Sequence, residues 1–354
     1  LTLVTSMKET FAYAAAFNGD ISNWDVSGIT DMDAMFSGAS SFNQNIESWD
    51  VSNVTNMRYL FDSAESFNQP LNNWDVSNVT NMDNLFSNTP FNQPLGNWNT
   101  SNVVNMGGMF ARNDAFNQNV NTTTINAGTS EEYIAWDVSN VTEMDGMFTS
   151  ADAFNQDISN WDVSSVTRMD DMFEQTVVFN QDIGGWNVIS VTDMEDMFRR
   201  TEAFNQDING WNVSNVMNMD DMFEEAAAFN QDLNNWDVSS VTTMQDMFHD
   251  AVVFNGNISG WNVSNVTDMD DMFEGASAFD QNLGDWDVSN VTDFRDMFTG
   301  SLSTANYDAL LQGWSQLALN SDETLDIGST TYSCAAADAR QSIIDDNNWT
   351  IDDG

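Results

Sequence analysis

The stretch from Ile158 to Asn180, ISNWDVSSVTRMDDMFEQTVVFN, decides the fold, because nearly all of the chain is copies of it. It returns about every 25 residues, a period that marks stacked repeats. Its sharpest marker is the Trp series Trp24, Trp49, Trp74, Trp98, Trp136, Trp161, Trp186, Trp211, Trp236, Trp261 and Trp286, each followed two places on by Val or Thr. One Phe column runs from Phe17 through Phe179 to Phe279, and another from Phe11 through Phe173 to Phe298. With Phe294 in a Met position, these columns take up all 24 Phe of the chain. Met fills two further columns and leaves only Met217 outside. An aromatic and Met stripe that repeats in register reads as core rather than as a sticky face.

Within the unit, Trp161-x-Val163 alternates with period two and predicts a short strand with Asp162 turned outward. Val166, Met169, Met172 and Phe173 then recur at threes and fours, which predicts a short helical turn capped by Thr167. Asn18, Asn43, Asn68 and their successors stand beside the first Phe column and read as amides satisfying a tight bend. The expected fold class is an α/β solenoid, in which each unit supplies one short strand and one short helical turn. Residues 1–299 hold about twelve units, the first truncated, and residues 300–354 form a C-terminal cap. Tyr307 to Trp314 and Ala335 to Ile344 look helical in that tail, and a strand-like stretch follows each. Two irregularities break the period. The coil across Asn88-Thr89-Pro90 is shortened, and the excess between Trp98 and Trp136 lies at residues 119–135, where insertions in stacked repeats form loops that often carry binding. The chain opens inside a repeat, which predicts that upstream residues or another molecule cover that end.

The formal net charge of −47, with one Lys and seven Arg, excludes nucleic acid as a partner. Such charge must be screened by salt, offset by cations or spread along the stack. Cys334 is the only Cys, so no internal disulfide forms, and no apolar run is long enough to insert in a membrane. His249 is the sole His and reads as a surface side chain, so catalysis has no recurring constellation to support it.

The motif Trp286-Asp287-Val288-Ser289-Asn290-Val291-Thr292, with Met272-Phe273 and Phe229-Asn230-Gln231 in register, resembles the repeat of BspA-like bacterial surface proteins, an outlying branch of the leucine-rich-repeat class. The likeness covers residues 1–299, and it implies a parallel strand ladder on one side of the solenoid with short helical turns on the other. The tail segments Tyr307-Asp308-Ala309-Leu310-Leu311 and Ala339-Arg340-Gln341-Ser342-Ile343-Ile344-Asp345 are similar to those that close such arrays. This resemblance implies a secreted or cell-surface protein in adhesion, host contact or matrix, without enzymatic activity. It implies no particular ligand.

The outward row of the expected strands is Asp25, Asp50, Asp75, Asn99, Asp137, Asp162, Asn187, Asn212, Asp237, Asn262 and Asp287, which makes it the candidate binding surface. Like charges opposed on a sheet destabilise it, so solvent, the interleaved Asn or a cation must offset them. Asp170, Asp171, Asp220, Asp221, Asp270 and Asp271 are the candidate metal ligands. An oxygen-rich, sulfur-free surface suits Ca2+ rather than Zn2+, but no EF-hand spacing is present and the plain alternative is a solvated acidic face. The fold itself requires no cofactor. Sequons begin at Asn53, Asn78, Asn99, Asn121, Asn140, Asn212, Asn257, Asn262, Asn265, Asn290 and Asn348. In a bacterium they express turn chemistry, and in a eukaryotic secreted chain they would carry a row of glycans. The expected function is a non-enzymatic extracellular or cell-surface scaffold for adhesion or protein–protein interaction, with protein or matrix ligands as partners. The alternative is a self-assembling extracellular fibre or matrix subunit whose partners are its own copies end to end, stabilised by Ca2+ or glycosylated.

Overall fold

The computed structural model describes residues 4–298 and 302–353. The chain divides into two compact units, Leu1–Asn187 and Val188–Gly354.

In the first unit each repeat makes one coil, and successive coils are joined by parallel pairing at Ser6, Asp31, Asn56, Asn81, Asn105, Glu143 and Arg168. The joint lies in the segment whose spacing predicts a helical turn. Met32 N–H donates to the Asn56 carbonyl at 2.9 Å, Ala34 to Arg58 at 2.8 Å, Phe36 to Leu60 at 2.9 Å and Gly38 to Asp62 at 2.8 Å. The intervening N–H groups close local turns, Met35 on Met32 and Ser37 on Ala34. The result is a ribbon of turns in which every second N–H reaches the next coil. A continuous helix is blocked because Ala34 and Gly38 are left-handed, with φ of 53° and 67°. Expectation and structure differ here for a physical reason: turns four residues long and a helix both bring side chains inward at threes and fours. At Trp161-x-Val163, where the sequence places the strand, the backbone is irregular and Trp161 N–H closes a turn on Ile158 at 3.1 Å. Thr167, read as a helix cap, instead donates its hydroxyl to the Thr142 carbonyl one coil back at 3.1 Å.

The interior is the set of columns the sequence predicts. Phe36 stacks on Phe42 within its coil at 4.0 Å and on Phe61 of the next at 5.7 Å. From Trp49 to Trp186 no column Trp in this unit is more than 4 % exposed, whereas Trp24 in the first coil is 41 % exposed. Each of these buried indoles from Trp49 to Trp186 is also a donor: Nε1 of Trp49, Trp74 and Trp161 reaches the carbonyls of Ile21, Ile46 and Val120 at 3.1, 3.2 and 2.9 Å. The Asn column works as the sequence suggests, Asn43 Oδ1 accepting from Asn68 N–H at 3.1 Å and from Gln69 Nε2 at 2.8 Å.

The second unit repeats this construction, with parallel pairing from Asp193 through Asn218 and Thr243 to Asp268 and between Phe273 and Phe298. Indole stacking continues there, Trp236 on Trp261 at 6.3 Å. Its tail contains α1 (Thr304–Trp314) and α2 (Ala337–Asn347), and two short strands at Thr324–Asp326 and Thr350–Asp352 that pair in parallel. The tail takes over the bonds of the columns. Asp280, which ends the Asn row, accepts from Ser303 N–H at 2.7 Å and Asn306 Nδ2 at 2.8 Å, while Trp314 Nε1 donates to Leu283 at 3.2 Å. Trp314 and Trp349 cover Phe294 with ring centroids 5.6 and 5.1 Å away. Buried Tyr307 donates its hydroxyl to Asp353 at 2.8 Å, and Arg340 grips the same carboxylate at 2.6 and 2.7 Å.

Candidate functional site

The insertion between Trp98 and Trp136 leaves the stack in register. Asn105 still pairs with Glu143, Trp136 N–H meets the Trp98 carbonyl at 3.0 Å, and Trp136 Nε1 meets Leu95 at 3.0 Å. The extra residues leave the coil as an antiparallel hairpin of β1 (Thr123–Ile125) and β2 (Tyr133–Ala135). Its tip turns through left-handed Asn126 and Gly128, with Asn126 Nδ2 donating to the Glu131 carbonyl at 3.2 Å and Gly128 N–H to Glu132 at 2.5 Å. Two bonds moor it to the stack: Thr122 Oγ1 to the Trp136 carbonyl at 2.8 Å, and Tyr133 Oη to the Asn97 carbonyl at 2.6 Å.

Beneath the hairpin is a cleft of about 400 Å3. Asn72, Trp74 and Asp75 line one side, Asn97 and Asn99 the next coil, and Asn126, Glu131 and Tyr133 the hairpin. Trp74 is 3 % exposed and turns little more than an edge to the space. Burial and the charge of Asp75 push the Tyr133 hydroxyl above its ordinary value, so it stays a protonated donor.

Asp75 and Asn99 are therefore the two members of the candidate binding row that the hairpin gathers into a site. Asp25, Asp50, Asp162, Asn187, Asn212, Asp237, Asn262 and Asp287 are exposed outside it, and Asp137 is half-buried. The row has a local role that the sequence did not disclose. Oδ1 of Asp25 accepts from Ser27 N–H at 3.1 Å and from Ser27 Oγ at 2.6 Å, and the same turn recurs at Asp50, Asn99, Asp137 and Asp287. Hydrogen bonds from Ser27, Ser52 and Ser239 hold the carboxyls of Asp25, Asp50 and Asp237 below their usual range, favouring the charged forms.

The candidate metal ligands are half-buried on the turn ribbon. Asp170 faces Arg168 at 2.8 Å, Asp270 faces Arg295 at 2.9 Å, and Asp220 accepts from Gln245 N–H at 2.9 Å. Asp171, Asp221 and Asp271 are left-handed, with φ of 58°, 57° and 53°. The carboxylates that do converge are Asp196, Asp221 and Glu224, whose oxygens lie within 4.8 Å of one another. Of these the sequence marks Asp196 and Asp221 as part of the acidic set on this side and only Asp221 as a candidate metal ligand, because the contact of Asp196 with Asp221 arises between residues one repeat apart. Arg199 supplies positive charge to this group, 3.2 Å from Asp196 and in contact with Glu224. Burial, then Asp196 and the hydrogen bond with Glu224, push Asp221 up to about 7. Burial with Asp270 and Glu274 does the same at Asp271, also to about 7. His249 lies 3.0 Å from Asp246 and 3.6 Å from Glu274; burial lowers its pKa, but these carboxylates and Asp250 raise it overall.

The sequon amides fall into two sets. Nδ2 of Asn53, Asn78, Asn140, Asn265 and Asn290 each donates to a Ser carbonyl one coil back, at 2.7 to 2.8 Å. Asn99, Asn121, Asn212, Asn257 and Asn262 instead accept through Oδ1 in local turns, and Asn348 ends α2 in a left-handed conformation. Among the described residues no helix is long and apolar enough to cross a membrane.

Coils stacked in register, with one elaborated by a hairpin, define a tandem-repeat protein. The family model described as "Mycoplasma protein of unknown function, DUF285" matches residues 1–90, 70–134, 123–233 and 206–314, and the chain belongs to that family. No curated protein matches it.

Proposed function

We propose that the chain is a non-enzymatic recognition scaffold of the extracellular space or cell surface. In this reading its stacks are solenoids related to the BspA-like branch of the leucine-rich-repeat class, and its partners are protein or matrix ligands. One observation carries the reading: the inserted residues leave the pairing of Asn105 with Glu143 and the indole bond of Trp136 to Leu95 in place and form a hairpin that roofs a polar cleft. A neutral elaboration would have no need to fold back on the exposed row, whereas recognition sites are concave and line themselves with a few converging polar groups.

Two measurements test it. An antibody to the chain should label intact cells of the source organism, and beads coated with the chain should adhere to cells or extracellular matrix. Labelling only after lysis, together with beads that do not adhere, would overturn the scaffold reading.

A further inference from the structure

We infer that the cleft under the hairpin binds a neutral polyhydroxylated ligand, a mono- or disaccharide unit of a larger glycan. This deepens the recognition reading and rests on it. The fold leaves a particular set of hydrogen-bonding groups for a ligand.

Both acceptor directions of Asn99 Oδ1 are taken by Ser101, from N–H at 3.2 Å and Oγ at 2.8 Å. Asn72 Oδ1 accepts from Asn97 N–H at 3.1 Å. These amides therefore offer chiefly their Nδ2 donors to the cleft. The carboxylates do the opposite. Asp75 Oδ1 accepts from Ser77 N–H at 3.1 Å and Glu131 Oε1 from Ser130 Oγ at 3.1 Å, which leaves each a second oxygen that can only accept. Donors and acceptors thus alternate around one small space.

An anion would meet Asp75 and Glu131, and no Lys or Arg lines the cleft to receive it. An ammonium or guanidinium only donates, so it would pair with Asp75 and Glu131 but leave the Nδ2 donors of Asn72 and Asn99 unmet. A hydroxyl both donates and accepts, and vicinal hydroxyls do so at adjacent atoms, which matches the alternation. Tyr133 adds a half-buried ring whose hydroxyl is tethered to Asn97 at 2.6 Å, giving a fixed apolar face for the C–H side of a sugar. The cleft's 400 Å3 lies within the range of about 300–1,000 Å3 usual for small-ligand sites.

The test is calorimetric titration of the full chain with a panel: neutral hexoses and N-acetylhexosamines with their short oligomers, a uronic-acid oligomer, and a tetra-arginine peptide. The expected result is binding of at least one neutral sugar with Kd of about 1 mM, since an open polar site offers few contacts per atom. Asp75→Asn and Tyr133→Ala should each weaken it tenfold or more. Asn stands at Asn99, Asn212 and Asn262 in the same row, so Asp75→Asn preserves the turn and the fold. The inference is overturned if no neutral sugar binds, if only the peptide or the uronate does, or if sugar binding survives both substitutions. Beads that adhere while neutral sugars fail would leave the scaffold reading standing and remove the sugar.

Discussion

A buried carbonyl explains why Trp, and not Leu or Val, holds the inward position of each coil. Trp236 Nε1 donates to Ile208 at 3.0 Å, and Trp261 and Trp286 repeat the bond to Leu233 and Ile258. An aliphatic side chain would fill the volume but leave that carbonyl with only its turn bond, which for Ile208 comes from Trp211 N–H at 3.0 Å. Trp236→Phe should therefore destabilise the protein by about 0.5–1.5 kcal/mol beyond the change in packing, the net value of one hydrogen bond, read from the shift of the denaturant midpoint in second-unit probes. A variant as stable as the parent would show that the indole bond contributes nothing. The left-handed Asp column carries a second consequence. Asp221 and Asp271 have folded-state pKa values raised to about 7, from an ordinary value of 3.8. Between those limits the folded state binds more protons than the unfolded one, so stability is greatest below the unfolded value and is lost as pH rises through 7. Melting temperature should fall from pH 5 to pH 8. Asp271→Asn, which keeps a residue tolerant of positive φ, should raise it in full at pH 8, by a smaller amount at pH 5, and leave it unchanged only below the unfolded value of 3.8. A parent curve flat over that range would contradict the buried-carboxylate account.

The hairpin is separable from the coils in a way the stack's own segments are not. Removing residues 122–134 brings Val120 and Trp136 to the spacing of Leu233 and Trp236, and the Trp136 bond to Leu95 does not pass through the excised residues. The shortened chain should fold with near-ultraviolet circular dichroism like the parent and melt within about 4 °C of it, a change of about 1 kcal/mol or less. It should also lose whatever the cleft binds. Collapse of the aromatic signal would mean that the hairpin supports the coil. Much of this was legible beforehand: Phe36, Met35 and Trp49 are buried as their periodicity requires, and the excess at residues 119–135 stood out by counting alone. The turn ribbon was not, because Val166, Met169, Met172 and Phe173 have the spacing of either a helix or stacked turns. The available clue was the series Asp171, Asp196, Asp221, Asp246, Asp271 and Asp296 with Asn84, Gly108 and Gly146 in the same column, residue types tolerant of left-handed backbone. Asp75 and Asn99 were in the candidate row, but nothing local to residues 119–135 says that the hairpin folds back over them. That direction is set by Tyr133 reaching Asn97, a contact across 36 residues.

The charge of −47 acts on the whole molecule and sets how its stability answers to ions. Stacking brings each acidic position beside its copy one coil away, and some of the few cations bridge coils: Arg58 reaches Asp83 at 2.9 Å and Arg295 reaches Asp270 at 2.9 Å. Arg199 stands among Asp196 and Glu224 in the same way. Most remaining repulsion is between exposed groups, where the Debye length controls it, falling from about 30 Å at 0.01 M to about 3 Å at 1 M salt. Screening alone predicts that melting temperature climbs steadily as NaCl is raised over that range, because a compact state of one sign of charge repels itself more than the unfolded chain does. It also predicts that CaCl2 at matched ionic strength does no more than NaCl. A specific divalent site would break that equality: millimolar Ca2+ would raise the melting temperature where the same ionic strength of NaCl does not. Arg199→Gln sharpens the comparison, since it removes the built-in cation from the Asp196, Asp221 and Glu224 group. With screening alone the variant is less stable and NaCl restores part of the loss. Selective rescue by Ca2+ would show that these carboxylates can hold an ion once the guanidinium is gone.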